Sequence, residues 1–150
     1  MRKFKKVLLY LFIILLVGIQ FVQIDKTPPP ENASIVFSEV ENVPVEVLSL
    51  LESACYDCHS YRTEFPWYTY IQPVGIWLRS HVRGAQQNLN FSEWGTYSEE
   101  DKPLILREAA EEIGEDQMPP KSFRLMHPEA RLSDEEKQLV ISWLENYESQ

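Results

Sequence analysis

The chain has 150 residues, 44% of them hydrophobic and 25% charged, which fits one globular domain with an appendage and excludes a wholly disordered chain. Two cysteines exclude a disulfide-dense scaffold, and five glycines argue against a turn-rich β-sandwich. A net charge of −9 argues against a nucleic-acid binder.

The charge is uneven. Arg2, Lys3, Lys5 and Lys6 are the only charged residues before Asp25, so from there on 10 basic residues face 23 acidic ones, a balance of −13. An apolar run, Val7 to Ile19, follows the basic cluster and continues to Ile24, broken only by Gln20 and Gln23. As a helix this run reaches roughly 27 Å, just enough for a bilayer core. The segment that closes it, Gly18-Ile19-Gln20-Phe21-Val22-Gln23-Ile24, lacks the small residues of a cleavage site. Residues 1–24 therefore read as an uncleaved transmembrane anchor. The positive-inside rule then puts residues 1–6 in the cytoplasm and the rest of the chain outside it. Residues 25–41, with Pro28-Pro29-Pro30, read as a semi-rigid linker, and residues 42–150 as the folded domain.

Within that domain the expected class is all-α. Pro44 suits a first helical turn, and Val47, Leu48, Leu51, Ala54 and Cys55 fall on one helical face. An aromatic loop runs from Tyr61 to Gln72. Pro73 can open a second helix, on which Trp77, His81 and Ala85 stack with Leu78 and Val82 alongside. A third helix is expected between about Ser98 and Ile113, with Leu106, Ala109, Ala110 and Ile113 as its stripe and Gly114 as its stop. Ser133 with Glu136 forms a capping box, and Leu139, Val140, Trp143, Leu144 and Tyr147 give the last helix its core face.

The chemistry-bearing motif is Cys55-Tyr56-Asp57-Cys58-His59, at the end of the first helix. Two thiols three residues apart can each form a thioether with one haem vinyl group, and the adjoining histidine can serve as proximal iron ligand. A disulfide between Cys55 and Cys58, a thioredoxin-like redox pair and a zinc site are the alternatives. The redox pair expects a βαβ context, and zinc needs further ligands, for which only His81 and His127 stand ready. For the second axial position, Met118 lies in a proline-stiffened loop, Met118-Pro119-Pro120. His81 is the rival; Met126 and His127 are weaker candidates.

The order of helix, haem motif, aromatic loop, helices, Met-Pro and capped last helix resembles class I cytochromes c. More closely, the chain resembles the bacterial haem-binding domain family of small, membrane-anchored, single-haem proteins. Besides the haem motif through Ser60, the stretches Phe65–Tyr70, Asn90–Trp94, Gln117–Pro120 and His127–Ala130 carry the resemblance. It implies one covalent haem c held by Cys55 and Cys58, His59 as axial ligand, Met118 as the second ligand and an inner-membrane protein with its haem domain in the periplasm. The function expected is that of an electron carrier, not an enzyme; the alternative is a haem-based sensor with a displaceable sixth ligand. Peroxidase-like chemistry would need distal acid–base groups, for which His81 is the one candidate. The acidic domain predicts a redox partner with a basic face. Trp67, Tyr68 and Tyr70 could line the haem edge, and Arg62, Arg79 or Arg83 could pair with its propionates; core packing and plain solvation are the competing readings.

Overall fold

The computed structural model describes residues 2–147 and is helical throughout, with no strand among the described residues. In chain order the helices are α1 (Arg2–Ile19), α2 (Phe37–Val40), α3 (Val45–Ala54), α4 (Tyr56–His59), α5 (Val74–Asn88), α6 (Asp101–Gly114), α7 (Lys121–Met126) and α8 (Asp134–Glu145). Short 3₁₀ turns occupy Trp67–Tyr70, Phe91–Thr96 and Pro128–Ala130. The all-α expectation holds.

The transmembrane expectation does not. No helix among the described residues is long and apolar enough to cross a membrane. The α-helix α1 ends at Ile19, five residues short of where the apolar run ends, and its first turns are taken up by Lys3, Lys5 and Lys6. Its apolar part, Val7–Ile19, spans roughly 20 Å, against the roughly 30 Å of a bilayer core. Beyond Ile19 the backbone continues in i→i−3 turns through Val22, and Gln20 is tied to a distant loop. Its side-chain amide donates to the Gln72 carbonyl at 3.0 Å and accepts from the Gln72 N–H at 3.0 Å. Lys26 Nζ sits 2.9 Å above the centre of the Tyr70 ring, fastening the next stretch to the same loop.

The folded unit takes in more than residues 42–150. Val36 and Phe37, which the sequence assigns to the linker, are 1% and 0% exposed. Phe37 stands at the centre of an aromatic cluster, 5.0 Å from Phe91, 5.1 Å from Trp94 and 5.8 Å from Trp143 between ring centres. The Ile35 carbonyl accepts from the Gly95 N–H at 2.8 Å. Glu31 pairs with Arg62 at 2.9 Å and accepts from the Ser92 hydroxyl. Glu41 accepts from Trp94 Nε1 at 2.6 Å and from the Tyr147 hydroxyl at 2.7 Å. A carboxylate and an aromatic side chain thus fix both ends of α2 to the core.

The remaining core follows the predicted stripes. Leu106, Ala110 and Ile113 of α6 lie against Val140, Trp143 and Leu144 of α8, and Val47, Leu51 and Ala54 of α3 are buried beside them. The α8 capping box is present: Ser133 Oγ accepts from the Glu136 N–H at 3.2 Å, and Glu136 accepts from the Ser133 N–H at 2.7 Å. Where α5 passes the Trp67–Tyr70 turn, Gly75 is required. A Cβ there would meet the Thr69 carbonyl oxygen at 2.1 Å.

Two local expectations are corrected. The spacing puts Trp77 and His81 on the apolar face of α5, yet both are exposed; the buried residues of that helix are Gly75 and Val82. Gly114 is not the left-handed stop of α6. That role falls to Asp116, at φ 58°.

Candidate functional site

The motif at Cys55–His59 is built on a break between two helices. Cys55, at φ −121° and ψ −39°, closes α3 by donating its N–H to the Leu51 carbonyl at 2.8 Å. Its own carbonyl then accepts from the N–H groups of Cys58 at 3.1 Å and His59 at 2.9 Å, which starts the single turn α4. The sequence leads one to expect the two cysteines on a continuous helix. The break instead makes Cys55 a hinge point from which Cys58 and His59 are presented together. Ser60 locks the turn: its hydroxyl donates to the Tyr56 carbonyl at 2.8 Å, and its carbonyl accepts from Gln86 Nε2 of α5 at 2.7 Å.

His59 is oriented by α5. Its Nδ1 lies 2.9 Å from the carbonyl oxygen of Leu89, the residue that caps that helix. A carbonyl only accepts, so Nδ1 carries the proton and Nε2 keeps a free lone pair. Burial pulls the imidazole below its usual pKa, so the ring is held neutral, the form that ligates metals.

The thiols are free of each other. Burial, and for Cys55 the neighbouring Cys58, pushes Cys55 up to about 12; burial and the Asp57 carboxylate push Cys58 up to about 11. Both are therefore protonated at neutral pH. Among the described residues, no group of three or more His, Cys, Asp or Glu side chains converges on a common metal position.

Cys55, Cys58 and His59 face a cavity of about 540 Å³ between α3, α5, α6 and the loop after α6. Its walls are mostly apolar, from Leu51, Leu89, Phe91, Ile105, Ala109, Phe123, Val140 and Leu144. Met118, with Pro119 and Pro120, lines it from the α6–α7 loop. His81 also lines it, but as an exposed residue whose Nδ1 lies 3.2 Å from the Trp77 carbonyl and whose ring lies 4.2 Å from the Trp77 ring. Met118 is half-buried and packs against the core. The cavity thus brings together both thiols, the imidazole and both leading candidates for a second ligand.

Other predicted residues lie elsewhere. Met126 is 53% exposed and lies off the cavity wall. His127 stacks on Phe123 with ring centres 4.2 Å apart, meets the Tyr68 hydroxyl at 3.1 Å and pairs with Glu129 at 3.0 Å. Trp67 and Tyr70 are 72% and 59% exposed on the opposite loop. Arg62 is engaged by Glu31 and Glu52, Arg79 lies 6.0 Å from the Phe65 ring, and none of Arg62, Arg79 and Arg83 lines the cavity. The sequence reading missed Glu108 and Glu112, which line the cavity from the polar shoulder of the α6 stripe. Their i, i+4 spacing was the available signal. It missed the Leu89 carbonyl altogether, because a backbone group leaves no trace in residue type.

The residues present suit a flat, largely apolar group that carries one metal: an apolar slot, a neutral imidazole with a free Nε2, and sulfur donors. A family model described as a haem-binding domain matches residues 14–146. No curated protein and no solved structure matches the chain.

Proposed function

Because this chain belongs to the haem-binding domain family, we propose that it is a c-type haem protein and that its role is electron transfer. The observation that carries the reading is the convergence of Cys55, Cys58, His59 and Met118 on one apolar cavity. Cys55 and Cys58 would hold the haem through two thioethers, His59 through Nε2 and Met118 through its sulfur. Bound there, the haem supplies an iron centre that takes up and releases one electron. The chain does the rest. The Leu89 carbonyl keeps His59 in one tautomer, the break between α3 and α4 presents both thiols to the cavity, and the apolar walls exclude water. With His59 and Met118 both holding the iron, the chain would serve as a carrier rather than an enzyme.

The test is absorption spectroscopy of the full chain, oxidised and reduced. The expected result is a methionine–iron charge-transfer band in the oxidised protein and no spectral change when carbon monoxide meets the reduced one. Rapid carbon monoxide binding would replace the carrier with a ligand-binding sensor.

In this reading the haem domain works outside the cytoplasm and meets a redox partner with a basic face. The balance of −13 from Asp25 onward gives the domain a negative field. Between 0.01 and 0.1 M salt the Debye length falls from about 30 to about 10 Å, so reduction by a basic donor should slow by about tenfold or more. Stopped-flow kinetics across that range reads this directly, and a flat salt profile would remove charge as the guide. The side chains of α1 are exposed over most of its length, with Phe12 at 56% and Ile14 at 66%. They make a membrane surface the second partner. Failure of the full chain to co-sediment with lipid vesicles would argue against it.

A further inference from the structure

We infer that Asp116 is the positioning residue that holds Met118 against the cavity, by clamping the α6–α7 loop to Arg124 and Lys137. The inference rests on the reading of Met118 as second axial ligand.

The loop begins with a closed helix end. The Asp116 N–H donates to the Ile113 carbonyl at 3.1 Å and the Gln117 N–H to the Glu112 carbonyl at 2.9 Å, the bond pair of a Schellman motif. The Met118 N–H shares the Glu112 carbonyl at 3.1 Å. This geometry needs a left-handed residue, normally glycine, yet the position holds Asp116 at φ 58°. It is the one non-glycine residue with positive φ among those described. A side chain kept where it is sterically disfavoured points to work done by that side chain.

The carboxylate has two cationic partners. Oδ1 accepts from Arg124 Nη1 at 2.8 Å and from Lys137 Nζ at 3.0 Å, while Oδ2 accepts from Arg124 Nη2 at 3.1 Å. The Arg124 fork is bidentate, the geometry with the strongest directional preference. Both cations are mostly buried, at 18% and 19% side-chain exposure. Arg124 lies in α7, just beyond Met118-Pro119-Pro120, and Lys137 lies in α8. One carboxylate therefore ties the start of the Met118 loop to the helix that follows it and to the helix beneath it. The carbonyl of Arg124 is held in turn by Arg131 Nε at 2.6 Å. The α6–α8 contact has its own apolar seam, so the clamp adds little to the core. What it restrains is the loop.

A thioether ligand that leaves the iron opens the site to an added ligand. The apparent affinity of that ligand then rises with the fraction of time the thioether is away. Imidazole is the probe, titrated into the oxidised full-length holoprotein. Asp116→Gly keeps the left-handed backbone and removes the clamp. Asp116→Asn, which tolerates the same backbone, removes the charge and keeps one acceptor oxygen. The expected result is imidazole binding about tenfold tighter in Asp116→Gly, with a weakened methionine charge-transfer band and a smaller effect of the same sign in Asp116→Asn. Far-ultraviolet circular dichroism should be unchanged in both. Imidazole affinity and band intensity equal to those of the unmodified chain in both variants would overturn the inference. Failure of the underlying reading looks different: the unmodified chain itself would lack the band and bind imidazole as tightly as Met118→Ala, and the proposed role of Asp116 would fall with it.

Discussion

Replacing both Cys55 and Cys58 by serine should leave a chain from which acid and acetone extract all of the haem, whereas the unmodified chain keeps it through the same treatment. The difference is one of bond type. Acid protonates an imidazole with an ordinary pKa near 6.5 and so frees iron from His59, but it does not break a thioether. Each single variant, Cys55→Ser or Cys58→Ser, should retain haem through the remaining sulfur. His59→Ala should retain it too, with an altered spectrum, because ligation and attachment rest on different atoms. Haem staining after denaturing electrophoresis measures all four. Haem that stays on the double variant, or that leaves the unmodified chain, would show that the cysteines do not attach it. Serine is nearly isosteric and both positions are only partly buried, so the apoproteins should fold alike.

Phe37→Ala should lower the unfolding free energy by about 3–5 kcal/mol, the range for truncating a buried phenylalanine. Against a total of about 5–15 kcal/mol for a domain, that is a large share. Phe37 is fully buried and touches three aromatic rings from the Phe91–Thr96 turn and from α8. Trp94, one of the three rings, is pinned by its bond to Glu41, which limits collapse into that space. Urea denaturation of the variant should show a lower midpoint at an unchanged slope. A loss below about 1 kcal/mol would mean that residues 35–41 are a detachable linker after all.

That pair of predictions marks what could and could not be read in the sequence. The helices α6 and α8 were legible because their apolar stripes repeat over three turns and Ser133 with Glu136 announces a start. The grouping of Cys55, Cys58 and His59 on one cavity was legible because the three stand at a fixed short spacing. Phe37 was not, because α2 is a four-residue turn with no period to detect and stands just beyond three prolines. The length of α1 was misjudged because hydropathy does not say where backbone hydrogen bonding stops. Past Ile19 only i→i−3 turns continue, through Val22. His81 misled for a related reason: a stripe that faces a cavity has the same spacing as one that faces a core. Asp116 in place of Gly114 shows that glycine marks where a left-handed cap is cheap. It does not mark where one must be.

The amide exchange between Gln20 and Gln72 also changes how the chain ahead of the domain should be pictured. A segment with three prolines suggests a leash, whose free end sweeps a volume set by its contour length. Here the segment is moored at both ends, to the Tyr70–Gln72 loop on one side and through Glu31 to Arg62 and Ser92 on the other. It behaves as a bracket. The mouth of the cavity then keeps a fixed bearing relative to α1, and a partner that meets α1 and the domain together searches over few orientations. Lengthening the proline stretch would leave that bearing intact, while Gln20→Ala combined with Lys26→Ala, which cuts both of these ties to the Tyr70–Gln72 loop, would let the domain swing.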